Sequence, residues 1–149
     1  MKVNIYIYQT IKGPGTRAGS YTYILEADMN GKIATLTSTD TLEPMTEKAA
    51  ELTVILKALS RICKECEIQI VGCSPYMVQA TYEWINNWIE NDWKNAKGKE
   101  IANKEQWQNL LEYMRKYSIT FTKECQHEYL NWIKSETEKT EHKRKNGIC

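Results

Sequence analysis

The sequence predicts one α/β domain built on a five-stranded mixed sheet, with three antiparallel strands first and helices flanking the sheet. Segments near the start of the chain alternate apolar and polar residues, which is the two-residue period of a half-buried strand. Later segments repeat apolar residues every three or four positions, as amphipathic helices do. The order is β-β-β-α-β-α-α-β-α, so a hairpin comes first and helical crossovers follow. A chain of 149 residues is long enough for one such domain.

The first three strands are predicted from this alternation and from one turn. Asn30-Gly31 is the strongest short hairpin signal, because both central residues of a type I′ turn need positive φ. We interpret residues 11–20, which contain Gly-Pro-Gly, as a loop, and residues 39–45 as a second loop. The predicted strands are 3–8, 21–27 and 32–37.

The rest of the chain alternates helices and strands. Thr46 is predicted to cap a first helix, because a threonine before an apolar-periodic segment is a typical N-cap. Residues 136–149 are almost without apolar side chains, and we expect a domain of residues 1–135 followed by a frayed, polar tail of residues 136–149. The other predicted elements are a helix over 47–62, strands over 67–73 and 118–123, and a short last helix over 127–135.

Residues 74–111 contain four of the five tryptophans and are predicted to form two helices joined by a polar connector over 91–103. Trp84 and Trp88 share one helical stripe, and Trp107 begins another. Because an indole buries about 150–250 Å², we interpret these three as packing residues. Trp93 lies at the helix exit and is expected to be partly exposed.

Net charge, apolar runs and cysteine count limit the class of protein that this sequence can be. The formal net charge is +1, from 20 basic and 19 acidic residues, which is weak support for nucleic-acid binding. No apolar run is long enough for a membrane span, and the start lacks the apolar core of a signal peptide. We therefore expect a cytoplasmic protein with no membrane partner. Five cysteines form an odd set, which favours reduced thiols over a disulfide framework.

Two cysteine patterns could indicate a metal site or a catalytic nucleophile. Cys63 and Cys66 form a C-x-x-C without a second pair at zinc-finger spacing, so free thiols are favoured over a metal site. Cys73 is a candidate nucleophile only if His127 approaches it as a base, and we favour the alternative that His127 is a surface histidine that begins a helix.

Several motifs resemble one enzyme family. The tryptophan spacings W-I-x-N-W, W-K-x-A and W-Q-x-L occur between residues 84 and 110. Gly13-Pro14-Gly15 comes before the second strand, Ala50-Glu51-Leu52 lies in the first helix, and Ser74 follows the fourth strand. Together these resemble bacterial type 1 ribonuclease H, over residues 5 to 119. The resemblance implies the ribonuclease H-like fold.

The resemblance also implies an active site, which this chain alters. In the family, clustered carboxylates hold two Mg²⁺ ions that cleave the RNA strand of an RNA–DNA hybrid. At the corresponding positions this chain has Tyr8, Glu51, Cys73 and, in the simplest register of the last helix, Asn131. Glu51 alone is a carboxylate, and one carboxylate cannot hold two hard dications. We therefore expect no bound metal cofactor and no catalysis.

The family's contacts with nucleic acid are diluted here. The basic handle of the family corresponds to the connector, where lysines are interleaved with glutamates. In the family, a loop before the last helix carries a histidine that assists turnover. Residues 121–127 are too few for this loop, and His127 is the histidine nearest to its position. A weak hybrid or duplex interface is predicted at Trp93, Lys94, Lys97 and Lys99 of the connector and at Lys12 and Arg17 of the first loop.

The sequence leaves three hypotheses about function open. The favoured hypothesis is a ribonuclease H-like module that is associated with nucleic acid or acts as a scaffold and has lost two-metal cleavage. The first alternative is an active Mg-dependent hybrid endoribonuclease with rearranged ligands such as Asp40, Glu43 or Glu124. The second alternative is a protein-interaction module that uses the edge strands and exposed tyrosines at Tyr6 and Tyr8.

Overall fold

Five strands form one mixed sheet in the order β3-β2-β1-β4-β5. The computed structural model describes residues 1–147. β1 pairs antiparallel with β2, and β2 antiparallel with β3, whereas β4 is parallel to both β1 and β5. The predicted fold class is confirmed. The strands are β1 (Lys2–Gln9), β2 (Arg17–Met29), β3 (Lys32–Met45), β4 (Glu67–Val71) and β5 (Ser118–Thr122).

Helices cover both faces of the sheet. The helices are α1 (Glu47–Leu59), α2 (Pro75–Gln79), a π-helical turn (Ala80–Trp84), α3 (Ile85–Glu90), α4 (Lys104–Lys116) and α5 (Leu130–Lys145). Helices α1 and α4 pack in the larger core on one face, and α5 packs against β1 and β2 on the other. None of these helices, within the 147 described residues, has the length and apolar character needed to cross a membrane.

The tryptophans belong to the larger core. Trp107 is fully buried, and Trp84 and Trp88 pack half-buried against the same cluster, as predicted. Their rings contact one another edge-on or tilted, with the centroids of Trp88 and Trp107 5.1 Å apart in an edge-to-face arrangement. The expected partial exposure of Trp93 is wrong, because this residue is only 8% exposed and joins the core. The connector turns the indole inward by placing Trp93 at a φ of 60°.

β3 is longer than the predicted strand. Residues 39–45, expected to be a loop, continue the pairing with β2, so that Tyr21 lies opposite Asp40 and Gly19 opposite Leu42. Leu42 is buried by this extension. Pro44 is tolerated because β3 is an edge strand, where a missing N–H need not leave a neighbouring strand unpaired. Tertiary pairing therefore overrides the local turn signal.

The predicted frayed tail is helical over most of its length, because α5 runs to Lys145. Thr137 is fully buried, and its hydroxyl lies 2.6 Å from that of Thr22 in β2. The Ser20 hydroxyl donates to Glu141 at 2.9 Å. These polar side chains find polar partners on β2, which apolar periodicity could not reveal. The last two residues of the predicted tail, 148 and 149, lie outside the described range.

Candidate active site and nucleic-acid interface

The candidate site lies where the parallel strands β1 and β4 end, beside α1. Tyr6 and Val71 are register partners, so the carboxyl ends of β1 and β4 lie at the same edge of the sheet. A cavity of about 130 Å³ opens there. Its lining residues come from the end of β1, the first loop, α1 and the β4–α2 turn: Ile7, Tyr8, Gln9, Lys12, Glu47, Glu51, Val54, Gly72 and Ser74. The fold thus brings Tyr8 and Glu51 together, with Cys73 in the adjoining turn.

Glu51 is buried, and Ser74 binds both of its carboxylate oxygens. The backbone N–H of Ser74 donates to Oε2 at 2.6 Å, and its hydroxyl donates to Oε1 at 2.6 Å. The same hydroxyl caps α2 by accepting from the N–H of Met77 at 3.1 Å. Burial raises the pKa of Glu51 above its ordinary value, and the hydrogen bonds from Ser74 counteract part of that rise. The carboxylate therefore holds the start of α2 in place.

Two further charged groups surround Glu51. Glu47 lies one helical turn earlier and accepts a hydrogen bond from the N–H of Gly13 at 3.0 Å. Lys12 lines the same cavity, and its charge favours the ionised form of Glu51. Sequence reasoning missed the role of Glu47 here, although its four-residue spacing from Glu51 places both acids on one helix face. The ammonium group of Lys12 therefore already offsets part of the negative charge of Glu51.

Tyr8, which is predicted to stand at the position of the family's first aspartate, is half-buried. Burial raises the pKa of its phenol, and the charge of Glu138 in α5 raises it further. Lys12 lies over the ring, with Nζ 5.8 Å from the centroid. A neutral phenol near an ammonium group adds no negative charge to the cavity.

Cys73 is buried and stays a thiol. Its N–H donates to the carbonyl of Thr122 at 3.0 Å, which ties the turn to β5. Burial raises the pKa of the thiol, and the nearby charge of Glu51 raises it further. Since the thiolate is the nucleophile, this environment opposes covalent catalysis. His127 packs elsewhere, with its ring centroid 4.6 Å from that of Tyr6.

Asn131 lies outside the Glu51 cavity. It is exposed in the first turn of α5 and lines a shallow depression on the solvent face of that helix. Glu138, one residue of the same depression, is the α5 acid whose charge acts on Tyr8. The assignment of Asn131 to the fourth carboxylate position stays a prediction.

The residues of this cavity do not fit a pair of Mg²⁺ ions. Both carboxylates already accept internal hydrogen bonds, and an ammonium group stands beside them. Across residues 1–147, no group of three or more histidines, cysteines, aspartates or glutamates is placed to share a metal ion. The alternative ligands Asp40, Glu43 and Glu124 do not line the Glu51 cavity.

The predicted nucleic-acid contacts divide into exposed and buried groups. In the connector, the Asn95 side chain accepts from the N–H groups of Lys97 and Lys99 at 2.9 and 3.0 Å, so that a tight turn presents both exposed lysines. Lys94 is also exposed, and its backbone bridges to that of Glu100. The predicted contact of Trp93 with nucleic acid is wrong, because its indole is buried and cannot stack on a base.

The first loop presents two further cations. Arg17 is exposed, and its guanidinium donates to the Pro14 carbonyl at 2.8 Å. Lys12 faces the Glu51 cavity, as described above. Beside this loop lies a second opening of about 350 Å³, which is lined by Gly13, Pro14, Gly15, Thr46, Glu47, Lys48, Glu51, Ser74, Pro75 and Tyr76.

The expectation of exposed tyrosines is wrong for Tyr6. Its ring is only 7% exposed, and its hydroxyl donates to Glu26 at 3.3 Å. Tyr129 of the last loop donates to the same carboxylate. These contacts fasten the segment before α5 to the sheet, so Tyr6 offers no surface to a protein partner.

Sequence comparison connects the whole domain with one family. The family model described as RNase H matches residues 7–144. A protein of Clostridium botulinum named Ribonuclease H is 32% identical over 125 residues, covering 82% of this chain and 81% of the relative. A protein of the same name from Rickettsia bellii is 36% identical over 74 residues, covering 50% of this chain and 48% of the relative.

Solved structures show the same fold. LC9-RNase H1, a type 1 RNase H with the type 2 active-site motif, superposes with a TM-score of 0.72 at 16% identity, covering 95% of this chain and 72% of that one. The foamy viral protease-reverse transcriptase in complex with dsDNA gives 0.70 at 16% identity, covering 95% and 93%. LC11-RNase H1 in complex with RNA/DNA hybrid gives 0.61 at 15% identity, covering 95% and 98%.

Proposed function

This chain belongs to the ribonuclease H family, and from that premise we propose that it binds nucleic acid without cleaving it by the two-metal reaction. The protein then acts as a binding or scaffold module that keeps the fold of a hybrid nuclease. Its ligand class is an RNA–DNA hybrid or a duplex, bound weakly through the phosphate backbone.

The proposed loss of cleavage rests on the hydrogen bonds of Glu51. Both oxygens of Glu51 accept hydrogen bonds from Ser74 at 2.6 Å. Each bond occupies one of the two lone-pair sites of its oxygen, so Glu51 has only part of its capacity left for a metal ion. The neighbouring positions supply a phenol at Tyr8 and a buried thiol at Cys73, neither of which carries negative charge at neutral pH. Two hard dications need several anionic oxygen donors, so this cavity opposes their binding.

The exposed cations support the binding half of the proposal. Lys97 and Lys99 are displayed by a hydrogen-bonded turn, and Arg17 extends from the glycine-rich loop. Solved relatives of this fold have been captured with dsDNA and with an RNA/DNA hybrid. Because the contacts are few and the net charge is only +1, the affinity is expected to be low and to fall with salt along a shallow slope set by the few phosphates contacted.

Cleavage is tested first. A labelled RNA–DNA hybrid is incubated with the protein and Mg²⁺ or Mn²⁺, with Glu51→Gln as the matched variant. We expect intact RNA with both proteins. Metal-dependent turnover that disappears in Glu51→Gln would overturn the proposal.

Restoring acids tests the same reasoning in the opposite direction. The triple variant Tyr8→Asp, Cys73→Asp, Asn131→Asp places acids at the three neutral positions. Isothermal titration with Mg²⁺ is expected to detect binding to this variant and none to the parent. A folded triple variant, checked by circular dichroism, that binds no metal contradicts the assigned positions.

Binding is tested by fluorescence anisotropy with hybrid, duplex and single strand over a salt series. The variant Lys97→Gln, Lys99→Gln is expected to weaken binding by about three- to tenfold at low salt. Lys2→Gln, Lys64→Gln removes the same charge from exposed sites near the amino ends of β1 and β4, and is expected to leave binding unchanged. No binding at low salt, or equal losses in both variants, contradicts this surface.

A second candidate is metal-dependent hybrid cleavage. The 32% identity to the Clostridium botulinum Ribonuclease H favours it. Under this candidate, substrate binding rearranges Ser74 and frees Glu51. The cleavage assay distinguishes the two functions, because only this candidate gives turnover.

A further inference from the structure

We propose that β3 is a self-association surface, through which two copies of this chain pair antiparallel and extend the sheet from five strands to ten. The proposal is independent of nucleic-acid binding and of metal chemistry. It rests on the free edge of β3, on apolar side chains exposed along it, and on the placement of Lys32 and Asp40.

The edge is long and open. β3 is the outermost strand, and within residues 1–147 it pairs only with β2. An edge strand presents unpaired N–H and C=O groups, which is a template for another strand. Natural edges are often shielded by inward charges, bulges or proline. Here, Pro44 and the register shift near Arg17 lie at one end, and residues 33–39 carry no charge.

Apolar side chains line this edge. Leu36 is 40% exposed and Ile33 is 60% exposed. A groove of about 340 Å³ adjoins the edge on the α1 side of the sheet, and its lining is mostly apolar. Its residues include Leu25, Ala27, Ala34 and Leu36. A second copy docked along the edge covers Leu36 and narrows this groove.

The faces of β3 are set by its pairing with β2. Leu36 lies opposite Leu25, a member of the core under α1, so even-numbered residues of β3 are on the α1 side. Thr39 bonds to Thr22, which bonds to Thr137 of α5, so odd-numbered residues are on the α5 side. The charged residues of β3 on the α1 side are Lys32 and Asp40, and Glu43 is on the other side.

Symmetry then selects one register. A two-fold axis that places β3 beside its copy, antiparallel, runs perpendicular to the sheet, so the α1 sides of both copies coincide. Residues directly opposite each other therefore share a face, and Lys32 cannot lie opposite Glu43. Lys32 can lie opposite Asp40 of the second copy, and the two-fold axis makes this ion pair occur twice.

This register also matches the uncharged side chains. Leu36 falls on the two-fold axis and lies opposite Leu36 of the second copy. Thr35 lies opposite Thr37, and cross-strand threonine pairs are favourable in antiparallel sheets. Pro44 falls outside the paired segment 32–40, so its missing N–H leaves the ladder intact. Charge, apolar contact and backbone pairing agree on the same alignment.

Sedimentation velocity under reducing conditions tests the proposal with the full chain, over about 5–300 µM protein, the range of weak self-association. We expect a monomer–dimer equilibrium. Lys32→Asp and Asp40→Lys each turn two ion pairs into two like-charge pairs, and each is expected to weaken dimerisation at least about tenfold. Glu43→Lys reverses a charge on the other face, outside the paired segment, and is expected to leave the equilibrium unchanged.

Mixing the two weakened variants gives the sharpest result. A Lys32→Asp copy facing an Asp40→Lys copy has two complementary pairs, so the mixture is expected to form a heterodimer although each variant alone is monomeric. The double variant Lys32→Asp, Asp40→Lys is likewise expected to dimerise. Melting curves confirm that each variant is folded. A monomeric parent at every concentration, or a dimer that is indifferent to these reversals, overturns the proposal.

Discussion

Replacing Ser74 by alanine tests whether Glu51 is committed to structure. The substitution removes a hydroxyl that donates to Glu51 at 2.6 Å and accepts from the N–H of Met77 at 3.1 Å. Losing an N-cap costs about 1 kcal/mol, and losing a hydrogen bond to a charged group costs about 1.5–3 kcal/mol. We therefore expect the free energy of unfolding to fall by about 2.5–4 kcal/mol at neutral pH.

Urea unfolding followed by tryptophan fluorescence measures this loss, with Thr46→Ala as the matched control. Thr46 caps α1 through the N–H of Ala49 at 3.2 Å but has no hydrogen bond to a carboxylate of residues 1–147, so its loss is expected to cost only about 1 kcal/mol. Introducing Ser74→Ala into a Glu51→Gln background isolates the coupling between the two side chains. Equal costs for Ser74→Ala and Thr46→Ala would refute the structural role of Glu51.

The cost is also expected to depend on pH. Because burial raises the folded-state pKa of Glu51 above its ordinary 4.5, the stability contributed by its protonated form is present below that value and is lost as pH rises through the folded-state pKa. Ser74→Ala removes a bond to the ionised form and raises the pKa further. The cost of the substitution is therefore expected to be larger at about pH 8 than at about pH 4.

Three other outcomes follow from the fold and the site. Gly72→Ala is expected to cost about 1–3 kcal/mol in urea unfolding, because Gly72 has a φ of 93° and an added Cβ meets the Ile7 carbonyl at 3.1 Å; an unchanged midpoint contradicts this. A chain ending at Ser135 is expected to melt at lower temperature than the full chain, since it lacks the contacts of Thr137 and Glu141 with β2; equal melting temperatures would support the prediction of a frayed tail. In native protein, a thiol reagent is expected to modify exposed Cys63 rapidly and buried Cys73 only on unfolding, which mass spectrometry of digested protein checks and equal rates contradict.

Local patterns were sufficient to predict the architecture. Alternation placed β1 and β2, the turn at Asn30-Gly31 placed the hairpin, and Thr46 marked the start of α1. Each of these signals comes from residues near in sequence, where backbone geometry and side-chain periodicity act directly. The resemblance in motif spacing also predicts that positions 8, 51 and 73 share one site, and the fold brings Tyr8 and Glu51 into one cavity.

Tertiary contacts decided the rest. The partnership of Glu51 with Ser74 joins residues 23 positions apart, and the inward turn of Trp93 depends on a core that closes around it. Local sequence signals did not predict where β3 and α5 end. Contacts with β2 stabilise the polar residues of both ends and the proline of β3. The sequence alone determined which side chains are acidic, apolar or small. Only the folded chain determined which acids already have hydrogen-bond partners, because a hydrogen bond needs two groups whose separation is set by the packing of several elements.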